Sequence, residues 1–228
     1  MAVNYQSSIV TSGLVLCLDA VDRKSYPGTG TAWIDRSGNR NNATLVNSLS
    51  YNTNNSGTLV FDGVDDYADF FAPNLGTTTT VEMWAKIGAG YNNKMFFGWN
   101  IYDVTGVTSH IGFNTGAGDL YGISSATVTS LGLVNNWKHY VFEMRSDVSY
   151  TNNKFYVNTV RQTLTQQAGA ENTGNRTFNS GNGRISGWRF DTGYPMPMSC
   201  STFRVYNRAL TTNEIQQNFN AARGRYNL

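Results

Sequence analysis

The chain has 228 residues, 14% of them charged and 13% aromatic, with 23 Gly, 4 Pro and 27 Asn, and a formal net charge of +2. Its basic residues are scattered singly, which argues against a nucleic-acid partner, and no apolar run is long enough to cross a bilayer as a helix. The mixture is poor in helix formers and rich in strand and turn residues, and at this length one sandwich can bury a self-sufficient core.

The opening, Met1 to Gln6, lacks a basic start followed by an apolar block. No secretory signal is read there, so synthesis in a cytoplasm is expected. From Leu14 to Tyr206, short apolar-alternating runs are separated by Gly, Asn, Ser and Thr clusters, the pattern of a β-sandwich or barrel. The predicted strands are Leu14–Leu18, Thr58–Phe61, Tyr67–Phe71, Thr79–Ile87, Lys94–Ile101, Trp137–Arg145, Lys154–Arg161, Arg184–Phe190 and Ser201–Tyr206. Cys17 falls in the first of these and Cys200 directly before the last. They read as buried thiols acting as small apolar side chains, although spacing leaves a disulfide open.

Period two is plain in Val81, Met83, Ala85 and Ile87, which share one face, with Glu82, Trp84 and Lys86 on the other. Tyr140, Phe142 and Met144 alternate with Val141, Glu143 and Arg145 in the same way. Such strands suit an antiparallel sheet with one wet face, so Glu82 and Glu143 are expected in solvent. After the last strand, Thr211 and Glu214 form a capping box and Leu210 and Ile215 a hydrophobic staple. A short helix follows, with Ile215, Phe219 and Ala222 on one face against the sandwich and Gly224 placed to end it.

Several segments resemble the laminin G-like domains of the concanavalin A-like superfamily. Gly13-Leu14-Val15 resembles their opening, and Trp33-Ile34-Asp35-Arg36-Ser37-Gly38-Asn39 their W-x-D-x-S-G-N turn. Leu59 to Tyr67 is similar to their F-D-G-x-D-D-Y hairpin, Val81–Trp84 to the strand that follows, and Trp137-Lys138-His139 to a W-x-H strand start. Phe203 to Leu210 with Glu214-Ile215 is similar to the closing Y-N-R-A-L-x-x-x-E-I block. The resemblance spans nearly the whole chain and implies an all-β antiparallel jelly-roll sandwich over residues 1–228 as a single domain. Two departures stand out. Tyr156-Val157-Asn158-Thr159 lacks the usual hairpin Gly. Ser201-Thr202 replaces an acidic pair that often lies near a structural cation, which weakens a role for calcium.

Ser25-Tyr26-Pro27-Gly28 and the tail from Gln217 to Tyr226 further resemble versions found in tailed-phage structural proteins. That implies a multicopy virion component, a capsid decoration or a fibre or tail part. Its partners would be other virion proteins and cell-surface glycans, with no nucleic acid and no membrane insertion.

In the Phe61–Tyr67 segment, Phe61 and Tyr67 are expected to anchor neighbouring strands, and Gly63 to supply a positive φ. Asp62, Asp65 and Asp66 read first as turn caps and, alternatively, as oxygen ligands for calcium. Catalysis is not expected. The family's hydrolases carry a Glu-x-Asp-x-x-Glu strand, and Glu82, Glu143, Glu171 and Glu214 lie in no such pattern. His139 reads as a packing or hydrogen-bonding residue, and no catalytic elbow, zinc motif or phosphate loop is present. Sugar recognition uses aromatic faces with planar amides and carboxylates. Tyr91-Asn92-Asn93 offers such a set, and the chief ligand-binding candidates are Trp99, Tyr102, Asp103, Tyr121, Trp188 and Tyr194, with core packing as the competing role of Trp99 and Trp188. The expected function is a non-catalytic virion protein with weak carbohydrate or host-surface adhesion. A stand-alone lectin-like module and a glycoside hydrolase of the same fold are the alternatives.

Overall fold

The computed structural model describes residues 8–72, 75–99, 103–116, 119–146, 148–169, 181–188 and 193–228. In chain order its strands are β1 (Leu14–Asp19), β2 (Ala32–Trp33), β3 (Ala43–Val46), β4 (Ser50–Asn52), β5 (Thr58–Phe61), β6 (Tyr67–Ala72), β7 (Thr78–Ile87), β8 (Lys94–Gly98) and β9 (Asp103–Val107). There follow β10 (His110–Gly116), β11 (Asp119–Ile123), β12 (Lys138–Arg145), β13 (Lys154–Val157), β14 (Val160–Arg161), β15 (Thr165–Ala168), β16 (Gly181–Ile185) and β17 (Met198–Tyr206). Two α-helices complete the set, α1 (Ser125–Ser130) and α2 (Thr212–Ala222).

Every strand pairing is antiparallel, and the strands form two sheets, the expected jelly-roll sandwich. Sheet A runs β14-β13-β12-β7-β17-β5-β4, with β1 also on β17; sheet B runs β15-β11-β10-β9-β8-β16-β6-β3-β2. The inner faces meet in one apolar cluster. Val81, Met83, Phe142 and Phe203 of sheet A face Phe70, Phe97, Val104 and Phe113 of sheet B. Phe70 and Phe97 each lie within 6 Å of Phe203, and Phe97 lies 5.6 Å from Phe142, in tilted or edge-on pairs. Such geometries are the favoured ones for aromatic quadrupoles.

The sequence expectations change at three places. Phe61 and Tyr67 do not anchor neighbouring strands: β5 belongs to sheet A and β6 to sheet B, so the turn between them is an arch joining the sheets. Lys154–Arg161 is a hairpin, not one strand. Asn158 and Thr159 both take positive φ (47° and 73°) and make its two-residue turn without Gly. Asn158 holds this turn to β12, its amide donating to the His139 carbonyl and its Oδ1 accepting the His139 amide, both at 2.9 Å. Both cysteines are free and buried; Leu16 and Leu18 point into the core while Cys17 takes the other face of β1, away from the inward Cys200.

The third change concerns the outer face of sheet A, which is not wet. Helix α2 and the segment at Val10 cover it. Val10, Leu210 and Ile215 pack on Val141, Tyr156 and Tyr206, while Phe219 and Tyr226 stack on Trp84 at 5.5 and 4.2 Å. The capping box forms as expected, with Thr211 accepting from the Glu214 amide and Glu214 accepting from the Thr211 amide. A 3₁₀ turn, Arg223–Tyr226, follows the helix, so Gly224 lies within it.

Candidate functional site

With one outer face closed by its own tail, sheet B supplies the sheet face left for a ligand. Ala68, Phe70, Ile185, Phe97 and Val104 point inward, so the alternation of each strand turns Asp69, Arg184, Gly98 and Asp103 outward. The register aligns these residues in one row across the sheet: Thr44 of β3, Asp69 of β6, Arg184 of β16, Gly98 of β8 and Asp103 of β9.

Arg184 is the hinge of the row. Its Nε donates to Asp69 Oδ1 at 2.7 Å and its Nη2 to Asp69 Oδ2 at 3.2 Å, a two-point clamp. The guanidinium lies 3.6 Å from the Tyr67 ring centroid, and its Nη1 donates to the Trp188 carbonyl at 3.4 Å. The next position in the row must be glycine. A Cβ at Gly98 would collide with the Asp103 carboxylate and stand 3.3 Å from Trp188 Cδ1, so the bare backbone lets acid and indole share that spot. Trp188 and Tyr194 are both anchored through Met95, whose carbonyl accepts from Gly187 and whose amide donates to the Tyr194 carbonyl at 2.9 Å. The Tyr194 side is 41% exposed.

The structure thus brings Asp103 and Trp188 together at Gly98 and ties Tyr194 to the other end of β8, at Met95. Trp99 is corrected to core: it is 2% exposed and meets Phe70 and Phe97 edge-on at 5.2 and 5.7 Å. Tyr121 lies half-buried on β11 opposite Phe113 and Gln166, four strands from Arg184 along the sheet. Tyr102 lies outside the described residues. Tyr91 and Asn92 brace a turn, the Tyr91 hydroxyl donating to the Ser109 carbonyl and Asn92 Oδ1 accepting the Ser109 amide. Tyr67, Asp69 and Arg184 were missed as site residues. Their strands were read, but the row exists only once β6 and β16, more than a hundred residues apart in sequence, pair.

The acidic arch stands beside this row. One carboxylate oxygen from each of Asp62, Asp65 and Asp66 lies within 4.8 Å of the others. Asp62 Oδ1 accepts from the Val64 and Asp65 amides at 2.7 and 3.3 Å, and Asp66 Oδ2 from the Asp62 amide at 3.1 Å. The Val64 amide bond leads in holding the Asp62 carboxyl below its ordinary value, whereas burial pushes Asp66 up. Calcium takes six to eight oxygens. Of the six carboxylate oxygens here, two already accept amides, and the adjacent Gly63 carbonyl accepts the Lys94 ammonium at 3.0 Å. The three carboxylates cap the turn and lie close enough together to share one cation. Gly63 takes the positive φ (81°) expected of it.

The strand carboxylates of sheet A are structural. Glu82, expected in solvent, is fully buried: its Oε1 accepts from Arg204 at 2.6 Å and stands 3.2 Å from His139 Nε2, and its Oε2 accepts from Asn218 of α2. Burial pushes its carboxyl up, but Arg204, His139 and Asn218 outweigh that and hold it at about 2, against an ordinary 4.5. Glu143, likewise expected wet, is 2% exposed and bound by Lys154 at 2.9 Å and Arg145 at 3.0 Å. Glu214 is engaged by Arg208 and Thr211, and Glu171 lies outside the described residues. Among the described residues, no two glutamates face each other across an open surface.

The sequence profile of the concanavalin A-like lectin/glucanases superfamily, in its laminin G form, matches residues 61–216, and the chain belongs to that superfamily. No curated protein sequence matches it. Among solved structures, it is similar to the receptor-binding domain of botulinum neurotoxin C/D mosaic serotype (TM-score 0.60, 12% identity, 92% of this chain and 51% of that one). It is similar also to the neurotoxin serotype D ligand-binding domain solved with N-acetylneuraminic acid (TM-score 0.59, 12% identity, 92% and 51%). A third is the binding domain of neurotoxin DC in complex with rat synaptotagmin II (TM-score 0.63, 12% identity, 93% and 52%). The chain spans about half the length of these domains, and at such identity the likeness is one of fold.

Proposed function

We propose that this chain is a non-catalytic binding module that meets carbohydrate through the outer face of sheet B. The observation that carries the reading is the row Asp69–Arg184–Gly98–Asp103, with the Trp188 indole over Gly98 and the exposed Tyr194 tied to the same strand at Met95. Aromatic faces beside oriented carboxylates suit a ring that is apolar on its faces and hydroxylated at its edge. The solved toxin domains of this fold include one bound to a sugar and one bound to a protein, in keeping with a fold used for recognition. Glu82 and Glu143 are both taken up by ion pairs inside the protein, which leaves a hydrolase reading without its acid and base.

The test is a glycan array read with the protein displayed multivalently, since avidity raises weak single-site binding by roughly 10²–10⁴. Binding should appear for wild type and fall roughly threefold to tenfold in Trp188→Ala, the range set by one aromatic contact. Equal binding by the variant places the ligand elsewhere, and no binding by any multivalent display overturns the reading. For its setting we propose the surface of a tailed-phage particle, a reading that rests on the resemblance of Ser25–Gly28 and Gln217–Tyr226. Both segments also have packing roles. Tyr26 is buried and Tyr226 stacks on Trp84. Mass spectrometry of purified particles checks the setting, and absence of the chain from them ends it.

A further inference from the structure

We infer that the sheet B site selects uncharged glycans and rejects those carrying a carboxylate or sulfate, an inference that rests on the proposed binding face. Selectivity follows from which member of the central ion pair faces the ligand. Arg184 is the cation in the row, and a guanidinium is the group best shaped to clamp a sugar acid. Here its fork is already filled by Asp69 at 2.7 and 3.2 Å, and its face is covered by Tyr67 at 3.6 Å. The Arg184 side chain is 9% exposed while that of Asp69 is 36% exposed. An incoming ligand therefore meets the acid first and the cation hardly at all.

The neighbours add the same sign. Asp103, buried at 5% exposure, lies behind the far end of the row, and Asp62, Asp65 and Asp66 gather on the arch that leads into β6. Lys94, a further cation among the described residues, donates to the Gly63 carbonyl within that arch. A sugar hydroxyl can donate to the open side of the Asp69 carboxylate, because an ionised carboxylate accepts at several lone pairs. A sugar carboxylate or sulfate there sets like charges side by side, which penalises the wrong partner more than it changes the right one. Asp69 is thus the specificity-determining residue, and it acts by masking Arg184 as well as by its own charge.

Direct binding measurements with lactose and 3′-sialyllactose, each displayed on the same multivalent carrier at low and physiological salt, test this. Wild type should prefer the neutral ligand by about tenfold or more at low salt, and the gap should narrow as salt screens the acids. Asp69→Asn keeps the side-chain shape, removes the masking charge and should close or reverse the preference, with the far-ultraviolet spectrum unchanged. Equal or stronger binding of the sialylated ligand by wild type overturns the inference while leaving the binding face intact. If neither ligand nor any other neutral glycan binds, the binding reading itself falls and takes the inference with it. A preference that persists unaltered in Asp69→Asn also overturns it.

Discussion

Protonating Glu82 removes the one anion from a buried site where Arg204, His139 and Asn218 converge. Its folded-state value near 2 lies below the ordinary 4.5, so the stability it contributes is whole above about pH 4.5 and is lost as pH falls toward 2. Thermal midpoints of the wild type should therefore drop through that acid window. Glu82→Gln should lower stability at pH 7 by about 3–5 kcal/mol, because the buried Arg204 cation loses its partner, and should flatten the acid slope. An acid slope as steep in the variant as in the wild type would show that other carboxylates set it. At this scale the sequence could not have placed Glu82: between Val81 and Met83 it has the same alternation as a solvated strand residue. Its cover, Asn218 and Phe219, comes from more than 130 positions further along the chain. Trp99 misleads in the same direction, since an indole beside the Asn100 amide reads as a sugar platform while it turns into the core.

Helix α2 was legible because its signals are local. The box at Thr211 and Glu214, the Leu210–Ile215 staple, and the buried Ile215, Phe219 and Ala222 all lie within a dozen residues. Thr211→Ala should lower the denaturant midpoint by the equivalent of about 0.5–2 kcal/mol and leave glycan binding unchanged, since the helix lies on sheet A. A midpoint that does not move would mean that the Glu214–Arg208 pair, at 2.7 Å, holds the helix start alone. Strands β7, β12 and β17 were equally plain from their apolar alternation. Strands β9, β10 and β11 were not, because Gly106, Gly112, Gly116 and Gly122 interrupt the pattern and read as turns. The β13–β14 turn escaped for the converse reason: Asn158 and Thr159 take a conformation usually signalled by glycine.

Across the whole molecule, both sheets contribute to a single apolar cluster that runs from Leu16 to Val205. Calorimetry should accordingly record one cooperative transition whose calorimetric and van't Hoff enthalpies agree. Two resolved transitions would divide the chain into separate domains. The sandwich could be foreseen from composition and ordered motifs, whereas the Asp69–Asp103 row depends on register among four strands, and register is a property of the folded sheet rather than of any segment. One consequence follows from the way the two ends of the described chain meet. The Val10 amide donates to Asn218 Oδ1 at 2.8 Å, and the Tyr206 hydroxyl donates to the Val10 carbonyl at 3.1 Å, so the segment before β1 is stitched to β17 and α2 on the outside of sheet A. A tether or scaffold attached near either end therefore leaves from that side. The outer face of sheet B, where the Asp69 side chain is 36% exposed, is then turned away from the attachment like the palm of an outstretched hand, and an array of such chains presents all its palms in one direction.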